Sequence, residues 1–204
     1  MSEKQTLVVL DLEGVLVPEI WIAVAERTGI DGLRRTTRDE PDYDVLMRYR
    51  LDLLRENGLS MSAIQDVIAT LTPLDGAAEF LGALRERTQV VILSDTFEQF
   101  AAPLMRQLDM PTVFCHRLVV EGDAIVDYRL RMPDQKRHAV NAFRSLNFRV
   151  VAAGDSYNDA TMLGAAHAGF WFHAPDNVRA DFPQFVAADT YDDLAVLIDG
   201  SLVA

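Results

Sequence analysis

The 204-residue chain, half apolar and one quarter charged, has the size and composition of one substantial hydrophobic core with room for a small accessory lobe. A formal net charge of −12, with no basic run to offset it, excludes a general nucleic-acid or anionic-membrane surface, so any phosphorylated ligand needs a local cation. The single cysteine, Cys115, permits no intramolecular disulfide and reads as a small buried hydrophobe, and the absence of a secretory or bilayer-length apolar stretch sets cytoplasm as the expected location.

Taken in order, Thr6-Leu7-Val8-Val9-Leu10 is a short apolar run that predicts a buried parallel strand. It stops at Asp11 and Glu13, two carboxylates placed on one side by strand alternation, with Gly14 just beyond. Helical patterns follow over Trp21–Thr28, Tyr43–Asn57 and from Ser60 or Ser62 to about Leu71, with a charged loop over residues 31–42. A simple βαβ unit needs only one helix, so the surplus, residues 17–72, is expected to form an inserted helical cap on a core built from 1–16 and 73–204.

From Pro73 the alternation is regular: a helix from Asp75 to about Thr88, then the strand Gln89–Leu93, which stops at Ser94-Asp95-Thr96. A helix over about 98–108, a strand at Thr112–Cys115 and a hairpin turning at Glu121-Gly122-Asp123 follow. Met132-Pro133-Asp134 opens a helix through Asn147, and Phe148–Ala153 is a third buried strand ending at Gly154-Asp155-Ser156-Tyr157-Asn158-Asp159. A helix to about Ala168, the strand Phe170–Phe172 and a helix Tyr191–Asp199 complete an α/β chain that reads as a doubly wound parallel sheet.

Three buried strands thus end in polar groups: Asp11/Glu13, Ser94/Asp95 and Asp155/Asn158/Asp159. In an open α/β sheet, ligands bind outside the carboxyl ends of the strands, so these ends converge on one crevice if the strands are neighbours. Carboxylates gathered there repel one another and call for a cation. An oxygen-only set without a His or Cys pattern suits Mg²⁺, which keeps waters and a substrate phosphate in its shell.

The order of these pieces resembles the haloacid dehalogenase superfamily, whose four motifs fall in sequence along the chain. Asp11-Leu12-Glu13-Gly14-Val15 is similar to its first motif, Asp-x-Asp-x-Thr/Val, with Glu13 in place of the second aspartate. Ser94 after Val90-Val91-Ile92-Leu93 matches the second, Lys136 the third, and Gly154-Asp155-Ser156-Tyr157-Asn158-Asp159 the fourth. Each piece alone has an ordinary reading: Ser94 as a strand terminator, Lys136 as a solvated helix lysine, Gly154-Asp155-Ser156 as a turn.

The resemblance implies an aspartyl-phosphate on Asp11, with Glu13 as general acid and then general base. It also implies Mg²⁺ held by the Asp11 carboxylate, the main-chain carbonyl of Glu13 and Asp155, with Asp159 supporting the metal or Lys136. Ser94 and Lys136 then take phosphoryl oxygens, Asp95 belongs to the same substrate-binding loop and Asn158 orients substrate. Within the superfamily the short insert and Ala160-Thr161-Met162-Leu163 after the fourth motif resemble phosphoserine phosphatases. That branch implies Glu19 at a substrate ammonium and Arg50, with Arg48 as rival, at its carboxylate, and leaves Tyr43 either lining the pocket or packing.

Two departures, Glu13 and Asp95-Thr96-Phe97 where glycines are usual, are shared with a branch that passes the phosphoryl group to homoserine. A homoserine acceptor is therefore expected beside water, since a positioned alcohol gains from proximity. The alternatives left open are a phosphatase for another small phosphomonoester, a non-catalytic phospho-acceptor domain and a weakened amino-acid-binding relative. A receiver-type domain needs neither the helical insert nor Glu13, and a metal-free dehalogenase leaves Asp155 and Asp159 surplus. Trp21, Trp171 and the methionines are expected in the core, with some as candidates for a homodimer face, and His116, His138, His167 and His173 show no ligand spacing and receive no role.

Overall fold

The computed structural model of the chain describes residues 4–37, 39–40 and 42–202. Strands β1 (Thr6–Leu10), β2 (Gln89–Phe97), β3 (Thr112–Glu121), β4 (Ala124–Arg129), β5 (Arg149–Gly154), β6 (Ala168–Phe172) and β7 (Val186–Ala188) form one sheet in the order β4-β3-β2-β1-β5-β6-β7. All neighbours pair in parallel except β3 and β4, which form the antiparallel hairpin. β1 lies between β2 and β5, with Val8 opposite both Val90 and Val151. This is the doubly wound α/β sheet read from the sequence, and it brings the ends of β1, β2 and β5 together.

Strand alternation splits the core into two layers. Val8, Leu10, Ile92, Val151 and Ala153 face one side, against helices α4 (Ala77–Arg85), α5 (Glu98–Gln107) and α9 (Tyr191–Leu202). Leu7, Val9, Leu93, Val150 and Ala152 face the other, against α6 (Gln135–Ser145), α7 (Ala160–Ala165) and α8 (Asp176–Asp181). Trp171 is fully buried and Trp21 nearly so, as expected of core residues.

Helices α1 (Ile20–Thr28), α2 (Tyr43–Glu56) and α3 (Met61–Ile68) stand between β1 and α4, with a 3-10 turn over Asp31–Arg34 inside the stretch read as loop. Their apolar faces join the first core layer, and Trp21 meets Phe100 of α5 edge-on at 5.3 Å. The starts of α2 and α3 are capped by side chains. Asp42 accepts from the backbone N–H groups of Asp44 and Val45 ahead of α2, and Ser60 accepts from Ala63 ahead of α3. The segment leaves and re-enters the core at one place, where Leu74 N–H donates to the Leu16 carbonyl at 3.0 Å.

Several predicted bounds are corrected. β2 runs past Leu93 to Phe97 through an irregular register, and β3 runs through His116 into the hairpin instead of stopping at Cys115. α6 starts at Gln135 because Asp134, at φ 47°, sits in the left-handed region and interrupts any helix from Met132. α7 ends at Ala165, so Ala168 belongs to β6, and α8 and β7 were not anticipated.

Candidate active site

Asp11 sits one residue past β1, where its N–H still donates to the Ala153 carbonyl of β5 at 3.0 Å. Its carboxylate is buried and accepts from Leu12 N–H at 2.7 Å and from Lys136 Nζ at 2.9 Å. Lys136, in the first turn of α6 and 2% exposed, also meets Asp159 at 2.7 Å. Asp159 spends its other oxygen on the N–H groups of Asp155 (3.0 Å) and Ser156 (3.1 Å), closing a capping box with Ser156.

Two glycines make this crowding sterically feasible. Gly14 holds φ at +76°, and a Cβ there would lie 2.4 Å from Asp155 Oδ2. A Cβ on Gly154 would meet Asp159 Cγ at 2.4 Å.

Asp11, Asp155 and Asp159 each offer an oxygen within 4.8 Å of the others. Burial and the neighbouring Asp159 and Asp155 charges push Asp11 well above the ordinary carboxylate range, with Lys136 opposing. Burial alone would lower Lys136, yet Asp11, Asp159 and Asp95 hold it well above the usual lysine value, so it stays charged. One ammonium facing this many carboxylates leaves a deficit of positive charge, and the donors are all oxygen. Such a set fits a small hard divalent cation. Both Asp159 oxygens serve protein donors, one meeting Lys136 and the other the Asp155 and Ser156 N–H groups.

The Glu13 side chain leaves the acidic cluster and reaches toward the helical segment, so a metal role for Glu13 falls to its main-chain carbonyl alone. Its Oε2 accepts from Ile20 N–H, at the start of α1, at 2.9 Å, and the Thr96 hydroxyl donates to the same carboxylate. Burial, then the Glu19 charge, raises Glu13 to about 7. A carboxyl poised there supplies a proton to a leaving group and takes one from an attacking group at neutral pH.

A small cavity of ≈ 80 Å³ joins the two sides, with Asp11, Glu13, Ser94, Lys136, Asp155 and Asn158 at its floor and Glu19, Trp21, Tyr43 and Arg50 in its helical wall. Arg50 is 6% exposed, its guanidinium 4.7 Å from the Trp21 ring centroid and its Nη2 donating to the Arg35 carbonyl at 2.9 Å. Its Nε finds no acceptor among the described residues, and burial lowers the guanidinium to about 10. Arg48 instead turns outward to Asp127 at 2.7 Å, so of these two arginines it is Arg50 that lines the cavity. Tyr43 lines the cavity and donates to the Asp95 carbonyl at 3.0 Å.

Ser94 is buried, and its Oγ accepts from Thr96 N–H at 3.2 Å. The Asp95 carboxylate lines the cavity, but Asn158 Nδ2 donates to one oxygen at 2.9 Å, and Gln135 (3.3 Å) and His116 (3.4 Å) reach the other. Thr96, His116, Gln135 and Trp21 are the site residues that sequence reasoning missed. His116 was accessible to it, because a polar residue following a buried strand is the same signal that singles out Ser94.

The model of the haloacid dehalogenase-like hydrolases matches residues 6–167, and the chain belongs to that family. Among individual proteins, the chain is 65% identical over 186 residues to phosphoserine phosphatase ThrH of Pseudomonas aeruginosa, covering 91% of each. It is also 65% identical to a phosphoserine phosphatase of Pseudomonas syringae pv. tomato, covering 91% of this chain and 78% of that protein. A solved phospho-aspartyl intermediate analogue of phosphoserine phosphatase superposes with a TM-score of 0.79 at 21% identity, covering 97% of this chain and 99% of that one. At that identity the likeness speaks for the fold.

Proposed function

We propose that the chain is a Mg²⁺-dependent phosphoserine phosphatase acting through an aspartyl-phosphate on Asp11, with residues 17–72 as its cap. The observation that carries this reading is the shared cavity. A buried arginine with an unsatisfied Nε faces a buried carboxylate nucleophile and an acid/base glutamate across a space suited to a small amino acid phosphate. The 65% identity to a phosphoserine phosphatase supports the same substrate.

In this mechanism Asp11 attacks phosphorus as the serine oxygen leaves, and Glu13 gives that oxygen its proton. Glu13, now a carboxylate, takes a proton from the acceptor hydroxyl as it attacks the aspartyl-phosphate and frees Asp11. Lys136 and Ser94 hold phosphoryl oxygens, while Arg50 takes the substrate carboxylate and Glu19 its ammonium. Asp11, Asp155 and the Glu13 carbonyl would hold Mg²⁺, which would supply positive charge to offset that of the phosphoryl group.

Water is one acceptor, and homoserine is the second. Homoserine carries the ammonium and carboxylate that Glu19 and Arg50 recognise, with a hydroxyl one methylene further out than that of serine. The alcohol then enters the subsite that serine vacates, and a closed cap favours it over water.

Phosphorus NMR on protein, Mg²⁺, O-phospho-L-serine and excess L-homoserine tests both parts, with Asp11→Asn as control. Loss of the phosphoserine signal with a second phosphomonoester appearing only when homoserine is present is the expected result. Free phosphate alone would remove the transfer step, and an unchanged spectrum over hours would remove phosphoserine as substrate.

A further inference from the structure

The Asp95 carboxylate presents a problem for a pocket that binds phosphoryl groups. It lies 3.8 Å from Lys136 Nζ, close enough to attract the ammonium and too far for a hydrogen bond. Lys136 has three N–H donors, of which Asp11 (2.9 Å) and Asp159 (2.7 Å) take two. The third is the one a phosphoryl oxygen requires, and a slightly closer Asp95 would capture it.

Three side chains hold Asp95 where it is. Asn158 Nδ2 donates at 2.9 Å to Oδ2, the oxygen nearer Lys136. Gln135 Nε2 reaches Oδ1 at 3.3 Å and also donates to the Ser94 carbonyl. His116, 4% exposed, places Nε2 3.4 Å from Oδ1, while its Nδ1 accepts from Arg131 N–H at 3.1 Å. A ring nitrogen that accepts from a backbone N–H carries no proton, so the hydrogen sits on Nε2 and points at Asp95. Arg131 closes the ring by donating to Gln135 Oε1 from Nε (3.1 Å) and Nη2 (2.9 Å). From the cap side, Tyr43 fixes the Asp95 backbone and packs edge-on against His116.

We propose that His116, with Gln135 and Asn158, is a positioning residue that restrains the Asp95 carboxylate short of a hydrogen bond to Lys136 and so keeps the third lysine proton for the phosphoryl group. The proposal rests on the phosphoryl role of Lys136 given above and goes beyond it in assigning a task to His116 and Gln135. Without the restraint, Asp95 closes on Lys136 and competes with the ligand.

Calorimetric titration of inorganic phosphate into the Mg²⁺-loaded protein tests this without relying on any particular substrate. His116→Asn keeps an acceptor for Arg131 N–H but lacks a donor that reaches Asp95, and roughly 10-fold weaker phosphate binding is expected, the scale of one charge-assisted hydrogen bond. His116→Gln, which returns an N–H near the Nε2 position, is expected to stay within about twofold of the unaltered chain. The decisive arm is His116→Asn with Asp95→Asn, in which no carboxylate remains to compete and affinity is expected to return. Persistent weakness in that double variant would make His116 a packing residue and overturn the proposal, as would unchanged binding in His116→Asn alone. If His116→Asn does not fold, Asn158→Ala with and without Asp95→Asn poses the same question, with rescue expected and lack of rescue overturning. An unaltered chain that binds Mg²⁺ but no phosphate would instead overturn the phosphoryl reading itself.

Discussion

At the scale of single residues, the site depends on carboxylates that do different work because their surroundings differ. Asp11 faces Lys136 and the acidic cluster, whereas Glu13 turns away to the Ile20 N–H and the Thr96 hydroxyl. Asp11→Asn keeps the shape and removes the proposed nucleophile, so phosphate release from phosphoserine is expected to fall about a thousandfold or more at unchanged fold. Glu13→Gln keeps both hydrogen-bonded neighbours within reach and removes the proposed proton carrier, and kcat is expected to drop roughly 10²–10⁴-fold. Gly14→Ala fails for a different reason. Its left-handed backbone costs about 1–2 kcal/mol for any residue with a Cβ, and that Cβ would lie 2.4 Å from Asp155 Oδ2. A lower melting temperature together with weaker Mg²⁺ binding is expected, and Mg²⁺ titration of a folded variant with unchanged affinity would contradict the placement of Asp155.

At the scale of elements, the proposed function assigns recognition to the helical segment and chemistry to the strand ends. Arg50 projects from α2 into the cavity with its Nε unsatisfied, so Arg50→Ala is expected to raise KM for phosphoserine roughly 10- to 100-fold, from the ~1.5–3 kcal/mol of a hydrogen bond to a charged group. Hydrolysis of p-nitrophenyl phosphate, which has no carboxylate, is expected to change only a few-fold. Equal losses on both substrates would place Arg50 in the fold of the cap and not in recognition.

The chain shows plainly where chemistry collects, because β1, β2 and β5 are apolar runs that end abruptly in Asp11, Ser94 and Asp155. It shows less well what lies beyond an end. β2 continues through Thr96 and Phe97 by way of an irregularity that no alternation pattern encodes, and this extension brings Thr96 to Glu13. His116 shows no ligand spacing with the other histidines, and its place inside β3, which runs on to Glu121 and not to Cys115, is what sets it beside Asp95. The six-residue α8 and three-residue β7 are too short to display a period, and tertiary packing alone defines them. Arg48 and Arg50 both fit a helix pattern, and only the side chains' directions separate them.

At the scale of the whole molecule, burying several carboxylates in one site ties stability to pH. Glu13 rises from 4.5 to about 7 on burial beside Glu19, so the folded state holds its proton more tightly than the unfolded chain. That contribution is fully present below the unfolded value of 4.5 and is lost as pH rises through about 7. Asp11, raised well above 3.8, acts in the same sense. Burial would raise Asp95, but Lys136, His116 and Asn158 hold it below the ordinary carboxylate range, so its own transition falls at more acidic pH. The raised Lys136 titrates at more alkaline pH. The melting temperature of metal-free protein is therefore expected to fall between about pH 5 and about pH 8 and to recover on adding Mg²⁺ at the upper end. A metal-free profile that is flat or rises over that window would contradict the charge balance described for the site.

The central claim is that Asp11 carries the phosphoryl group. Acid-quenched single turnover with ³²P-phosphoserine, followed by tryptic mapping, tests it most directly. Hydroxylamine-labile label on the peptide spanning residues 5–27, absent from Asp11→Asn, is the expected result. Turnover with no trapped label, or label on a peptide carrying Ser94 or His116, would contradict it.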